Sequence, residues 1–230
     1  MVINHRFVLF FILVINFFNL SCKEKAGKYI NQGEIYYSLY YSEYSGPIPD
    51  AFMPKNLVVS FKKDKILFEI LSPYGNSGIR ILSNPEAGIL DTYFSMAKIK
   101  YYYTVIDGES FPGFEGMNGM EIQKTSKTSV ICGFNCNNAE VTFPADRHKI
   151  YNIWFTNEIN IKSPNASTPF SEIDGVLLSF FFIVGKSEMH FNAESVFKKE
   201  VSNKTFERQP NFKRITKEDF NKVINEMISL

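Results

Sequence analysis

The chain has little of what catalytic and metal sites are usually built from. It carries 3 His, 3 Cys and 1 Trp in 230 residues. One histidine, His5, lies in the N-terminal leader, which leaves His148 in a polar cluster and His190 in an alternating stretch. Neither is paired at ligand spacing, and no second Cys or His pair completes a zinc set. H-E-x-x-H, G-x-S-x-G, the P-loop and G-x-G-x-x-G are all absent. Gly113-Phe114-Glu115-Gly116 and Gly116-Met117-Asn118-Gly119 are bounded by glycine but lack the Lys-Ser/Thr of a phosphate cradle, so they read as loop. No metal, no cofactor and no enzymatic activity are expected. Two distant carboxylates of the glycosidase kind leave no spacing signal, and that class stays open. The chain also lacks a charge excess: 25 Lys+Arg stand against 24 Asp+Glu, a formal +1. The basic face of a nucleic-acid binder is therefore not expected. There is no internal repeat, low-complexity tract or interdomain linker, and the length suits one domain.

The N-terminus carries an address. Arg6 precedes the apolar run Phe7 to Ile15. That run is short of the roughly 20 apolar residues of a transmembrane helix and matches the core of an export signal. Leu20-Ser21-Cys22 follows, then Lys23-Glu24-Lys25. A small residue before a cysteine at an abrupt apolar-to-charged switch resembles a bacterial lipoprotein cleavage site, of the relaxed Ser-Cys-Lys type found in Bacteroidota. Asn19 departs from the leucine usual three positions before the cysteine. The alternatives are an uncleaved anchor, or an ordinary export signal with Cys22 a free thiol. The expected organisation is a signal peptide over 1–21, lipidated Cys22 and a linker over 22–32, and one domain over 33–230. Membrane attachment is then through the lipid, and Lys23 favours the outer membrane, on its periplasmic face or at the cell surface. Removing the leader leaves Cys132 and Cys136, a pair that exported chains permit to bond. A turn over Gly133-Phe134-Asn135 would let them meet, and one buried thiol is the rival outcome.

What the chain has in plenty is aromatic residues: 23 Phe and 12 Tyr. In GEIYYSLYYSEY, Ile35, Tyr37, Leu39 and Tyr41 alternate with Tyr36, Ser38, Tyr40 and Ser42, the period of a strand. Further strands are expected over 56–62, 64–71, 78–82, 87–94, 98–105, 120–125, 128–132, 137–143, 149–159, 175–185 and 189–200. Short strands at regular spacing suggest an antiparallel sheet, a barrel or half-barrel. Val176 to Val184 is apolar at every position but Ser179. Either both faces of that strand are buried, or one lines an apolar cavity. The last segment reads as a helix. Thr216 and Asp219 form a capping-box-like pair, and Phe220, Val223, Ile224 and Met227 make one apolar stripe.

The C-terminal two-thirds resembles a group of Bacteroidota lipoproteins similar to the LolA/LolB/LppX-like superfamily. The resemblance rests on KTSVICGFNCNNAEV (127–141), on Ile153-Trp154-Phe155-Thr156-Asn157-Glu158-Ile159, and on Asp174-Gly175-Val176-Leu177-Leu178. The closing stretch Phe206 to Phe220, with Pro210, Phe212 and Thr216, also carries it. Cys132 departs from the aliphatic residue usual in that pattern. The resemblance implies an α+β, mainly β fold: an incomplete antiparallel β-barrel wrapped around helices, with an apolar concavity and a C-terminal amphipathic helix. No catalytic residue comes with it.

Two functions follow. The first is a lipid-anchored protein that holds an apolar ligand, a lipid or acylated molecule, in the half-barrel. Burial would contribute about 0.8 kcal/mol per CH₂, and Trp154, Leu177, Phe180 and Phe182 are the expected lining. The second is an anchored domain that docks an envelope protein or a glycan through an aromatic surface. An open apolar cavity would mark the first, and a filled core with an aromatic patch outside would mark the second.

Overall fold

The computed structural model describes residues 30–43, 49–75, 77–106, 109, 111–185 and 187–229. The signal region 1–21, Cys22 and residues 23–29 of the linker lie outside the described residues. The twelve strands are β1 (Gln32–Glu43), β2 (Asn56–Lys62), β3 (Lys65–Leu71), β4 (Gly78–Asn84), β5 (Ile89–Met96), β6 (Ile99–Thr104), β7 (Glu121–Ile131), β8 (Phe134–Phe143), β9 (Asp146–Thr156), β10 (Val176–Val184), β11 (Ser187–Phe197) and β12 (Lys213–Arg214). Helix α1 (Lys217–Ser229) follows. They form one mainly β, curved open sheet in the order β12-β6-β5-β4-β3-β2-β1-β11-β10-β9-β8-β7. Every pair is antiparallel except β12 on β6. Within the sheet, β1 to β6 is one meander and β7 to β11 another, and the β1–β11 ladder joins them.

Local chemistry explains the tight connections. Lys63 and Ala97 take φ values of 58° and 51° in the β2–β3 and β5–β6 turns. The β7–β8 turn is Cys132-Gly133, with φ of 51° and 81°. Positive φ at both central residues is what a type I′ hairpin needs, because its twist matches that of the strands. The turn is therefore not the expected Gly133-Phe134-Asn135, and β8 begins three residues before its expected start. The expected strands 120–125 and 128–132 are one strand with an irregularity between Lys124 and Thr128.

The core covers one face of the sheet. Tyr37, Leu39, Val59, Phe68, Ile81, Phe180, Phe182 and Phe191 are buried there. Three other segments cover this face. The 105–120 connection supplies Met117, whose Sδ accepts from Ile183 N–H at 3.3 Å, and Phe114, 4.8 Å from the Phe182 ring. Its backbone lies so close to β10 that a Cβ on Gly116 would come within 2.6 Å of Ile183. The 157–175 connection buries Ile159, Ile161, Phe170 and Ile173. The amide of Asn165 pins it, donating to the carbonyls of Ile173 and Gly175 at 2.7 and 2.8 Å. Helix α1 contributes Phe220 and Ile224. Asp219 N–H donates to Thr216 Oγ1 at 3.1 Å, so the expected cap is formed. The expected stripe is present at Phe220, Val223 and Ile224, while the Met227 side chain lies outside the description. The resemblance implied several helices inside the sheet. Among the described residues two long connections and one α-helix take that place.

The fully apolar β10 has a specific cause. It pairs with β9 only from Val176 to Ser179, with a bulge between Leu177 and Ser179. Beyond that point aromatic rings replace the ladder. Tyr151 stacks on Phe181 at 4.0 Å, and Phe143 and Phe170 meet Phe181 edge-on at 6.3 and 5.8 Å. Phe180 and Phe182 point to the core while Phe181 fills this wedge, so both faces are buried. On the opposite face of β3 to β5, Leu67, Leu82 and Tyr93 form a second cluster with Val201 and Phe206. Arg208 fastens that C-terminal strap: its Nε donates at 2.7 Å to Asp91, which is fully buried and also accepts from Tyr93 and Thr104.

The rings around Phe170 should dominate stability. Phe170→Ala is expected to cost about 3–5 kcal/mol, read as a lowered urea midpoint. A loss under 1 kcal/mol would mean that the 157–175 segment is not part of the cooperative core.

Candidate functional site: a polar row between aromatic pairs

The site lies on the face of β1 and β11 that turns away from the core. Antiparallel register places opposite partners on the same face. Ser38 of β1 pairs with Asn56 of β2 and with Asn192 of β11. Asn192 pairs with Ser179 of β10, and Ser179 pairs with Trp154 of β9. Five strands thus contribute Asn56, Ser38, Asn192, Ser179 and Trp154 to one row. Ser179 Oγ donates to Asn192 Oδ1 at 2.8 Å, and Ser38 Oγ donates to the Asn192 carbonyl at 3.3 Å. Both hydroxyls keep lone pairs for a ligand. Asn192 is exposed, and its NH₂ can donate to a ligand.

Two aromatic pairs flank the row along the strands. On one side Tyr40, 51% exposed, stacks on His190 with centroids 4.8 Å apart and planes 8° apart. On the other, Tyr36 and Phe197 meet edge to face at 5.6 Å and are 38% and 52% exposed. Four residues separate Tyr36 from Tyr40, about 13 Å along a strand.

Each pair is oriented by a carboxylate whose charge is met locally. Glu188 is buried behind Tyr40 and His190. It accepts from Ser42 Oγ, Lys149 Nζ, Tyr151 OH and His190 Nε2, each at 2.7 Å. Burial alone would raise its pKa, but these donors outweigh burial and hold it at about 2. Glu34 holds the other pair, accepting from Tyr36 OH and Lys199 Nζ, both at 2.7 Å. Burial pushes Glu34 up, and Lys199 and Tyr36 bring it below the ordinary carboxylate range.

Of the residues expected to line a cavity, Leu177, Phe180 and Phe182 come together on the core face, and Trp154 does not join them. Trp154 is half-buried on the outer face, beside Ser179. Leu177, Phe180 and Phe182 are buried on the core face. Leu177 and Phe180 border a small void with Tyr37, Val59, Phe68 and Ile161, with about 10 Å³ open to water centres. That is room for a single water at most. Phe182 is packed among Phe114, Phe170, Phe180 and Phe191 instead. Cys132 and Cys136 are free thiols. The register explains this: Cys132 sits in the turn with its thiol on the Ala193 carbonyl, while Cys136 is buried opposite Ser129. No group of three or more His, Cys, Asp or Glu arranged for a metal occurs among the described residues. His190 lies on a strand face as expected. Asn56, Ser38, Asn192 and Ser179 were not singled out from the sequence, since each alone is an ordinary polar strand residue.

Glu188 makes a pH-dependent contribution to stability. Its folded pKa lies below the ordinary value of 4.5, so the contribution is complete above about 4.5 and disappears as pH falls towards 2. Urea unfolding of the wild type and of Glu188→Gln should therefore diverge above pH 4.5 and converge near pH 2. A constant difference across that range would remove Glu188 from the titration.

Neither a protein-family model nor a curated protein matches this chain. Among solved structures it is similar to PNGF-II, with a TM-score of 0.54 and 14% identity over 84% of this chain and 32% of that one. A second crystal form of PNGF-II gives 0.53 and 15%, over 84% and 33%. The chain therefore spans about a third of PNGF-II, and at this identity the likeness concerns the fold. It is more loosely similar to the LolA superfamily protein NE2245 from Nitrosomonas europaea, with a TM-score of 0.33 and 10% identity over 78% of this chain and 91% of that one. The Mycobacterium tuberculosis lipoprotein LppX gives 0.29 and 8%, over 74% and 89%.

Proposed function

We propose that this chain is a non-catalytic envelope protein, tethered through lipidated Cys22, that docks a glycan on the outer face of β1 and β11. The observation that carries the reading is the order of chemistry across that face: polar centre, aromatic flanks. A protein–protein interface has the reverse order, an apolar centre inside a polar rim. A saccharide needs hydrogen-bonding groups for its hydroxyls and flat rings for its C–H faces. Ser38, Asn192 and Ser179 supply the first, and Tyr36, Tyr40 and Phe197 the second. The signal-like leader and the Ser-Cys-Lys junction support export and anchoring.

A second reading, an apolar ligand held in the half-barrel, has one observation in its favour. The void beside Tyr37, Leu177 and Phe180 is bordered mainly by apolar side chains, with Ile161, Pro164 and Asn165 contributed by the 157–175 segment. An acyl chain would fit there only after that segment withdrew its buried Ile161 and Phe170.

Retention on immobilised polysaccharides tests the first reading. The protein should be retarded on at least one matrix, and Tyr36→Ala combined with Tyr40→Ala should abolish retention while leaving the urea midpoint within about 1 kcal/mol, as expected for exposed positions. Native mass spectrometry supplies the contrast. An organic-extractable mass on the purified protein, with no retention on any matrix, would favour the second reading.

A further inference from the structure

The direction and neutrality of the row define the ligand more closely than the flanking rings do. Resting on the glycan reading above, we propose that the ligand is an uncharged, linear oligosaccharide that lies across the strands, from Asn56 over Ser38, Asn192 and Ser179 to the ring of Trp154.

Three observations lead there. The first is length and direction. Four inter-strand steps separate Asn56 from Trp154, about 19 Å at the usual strand spacing. The row follows the hydrogen-bonding direction of the sheet from strand to strand. A single sugar ring would occupy only part of it. The second is the alternation of hydrogen-bonding character. Ser38 Oγ and Ser179 Oγ spend their protons within the row, on the carbonyl and on Oδ1 of Asn192, and are left as acceptors. Asn192 lies between them, exposed and with its Oδ1 already taken, so its NH₂ is the group that can donate. Acceptor, donor, acceptor at successive strands suits a run of hydroxyls, each of which both donates and accepts. The third is charge. Every side chain in the row is neutral. The carboxylates that orient its flanking rings, Glu34 and Glu188, each hold a lysine at 2.7 Å, Lys199 and Lys149 respectively. Among the described residues no cation belongs to the row, so the carboxylate of an acidic sugar would lack a partner for its charge there. Trp154, half-buried and at the β9 end, closes the track with the largest ring available.

The experiment is a titration of the purified protein, by calorimetry, with a size series from monosaccharide to hexasaccharide. The probes are linear glucans, mannans, xylans and chitin oligomers, with oligogalacturonates as the acidic comparison. Binding should be undetectable for monosaccharides and should tighten with each added ring until the track is filled, for a neutral series in preference to the acidic one. Asn192→Ala should weaken hexasaccharide binding by about fivefold, the scale of one hydrogen-bonding group. Trp154→Ala should weaken it by about tenfold and reduce the number of rings over which affinity grows, whereas Trp154→Phe, which keeps a ring, should restore most of it. Equal affinity for mono- and hexasaccharides, a preference for oligogalacturonates, or wild-type binding by Asn192→Ala would overturn the extended neutral ligand while leaving glycan docking in place. The absence of binding to every neutral and acidic probe would overturn both.

Discussion

The β1–β11 ladder is the joint on which the rest of the molecule depends. The other antiparallel pairings link neighbours within a meander and close over short turns or a single connection. Only β1 with β11 joins chain segments about as far apart as the domain allows, residues 34–43 against 188–197. Its loop-closure entropy must be offset by what the ladder brings together. On the core face that is Leu39 beside Phe191 and Phe180, with Tyr37 OH donating to the Leu177 carbonyl at 2.7 Å. On the outer face it is Tyr36 with Phe197, Tyr40 with His190, and Ser42 with Glu188. The candidate site is the outer surface of this same joint, so its geometry is as firmly held as the fold.

Charge is handled in one consistent way throughout the structure. Asp91 is fully buried and meets Arg208, Tyr93 and Thr104. Glu188 meets Lys149, Ser42, Tyr151 and His190. In each case a carboxylate removed from water is saturated with donors, and such a group orients its neighbours while remaining unavailable for chemistry. Asp91 fastens the C-terminal strap over Leu67, Leu82 and Tyr93, and Glu188 fixes the stacked ring pair. Asp91 and Glu188 thus act as fasteners of the fold.

The aromatic abundance divides into two populations with different roles. Phe114, Phe170, Phe180, Phe182 and Phe191 fill the inside of the sheet by edge-to-face and stacked contacts. Flat rings of this size fill much of the space inside the described part of the sheet. Tyr36, Tyr40 and Phe197 stand on the other face with their rings accessible. The same residue types thus produce a closed core and a solvent-facing platform, separated by one strand thickness.

Much of the fold was legible because it rests on local rules. Strand-like apolar patterning located β1, β2 and β3, and a continuous apolar run located β10, to within a residue or two, while the Thr216 cap with its apolar stripe marked α1. The doubly apolar run Val176 to Val184 correctly signalled burial on both faces, although the wedge of Tyr151, Phe143 and Phe170 around Phe181 was not visible from sequence. The β7–β8 turn was misplaced because the hairpin's twist, and no stronger local turn residue, selected positive φ at Cys132 and Gly133. Of the expected lining residues, Trp154 stands apart from Leu177, Phe180 and Phe182 for a physical reason as well. A bulge between Leu177 and Ser179 sets which side chains share a face, and it put Trp154 on the opposite side from Phe180. The row from Asn56 to Trp154 draws on segments up to 154 positions apart, and no local pattern relates them. The sequence by itself determined the strands, the helix, the aromatic content and the export-like leader, because these depend on near neighbours. Which faces meet, whether the inside is open, and which polar groups line up were decided by long-range register alone.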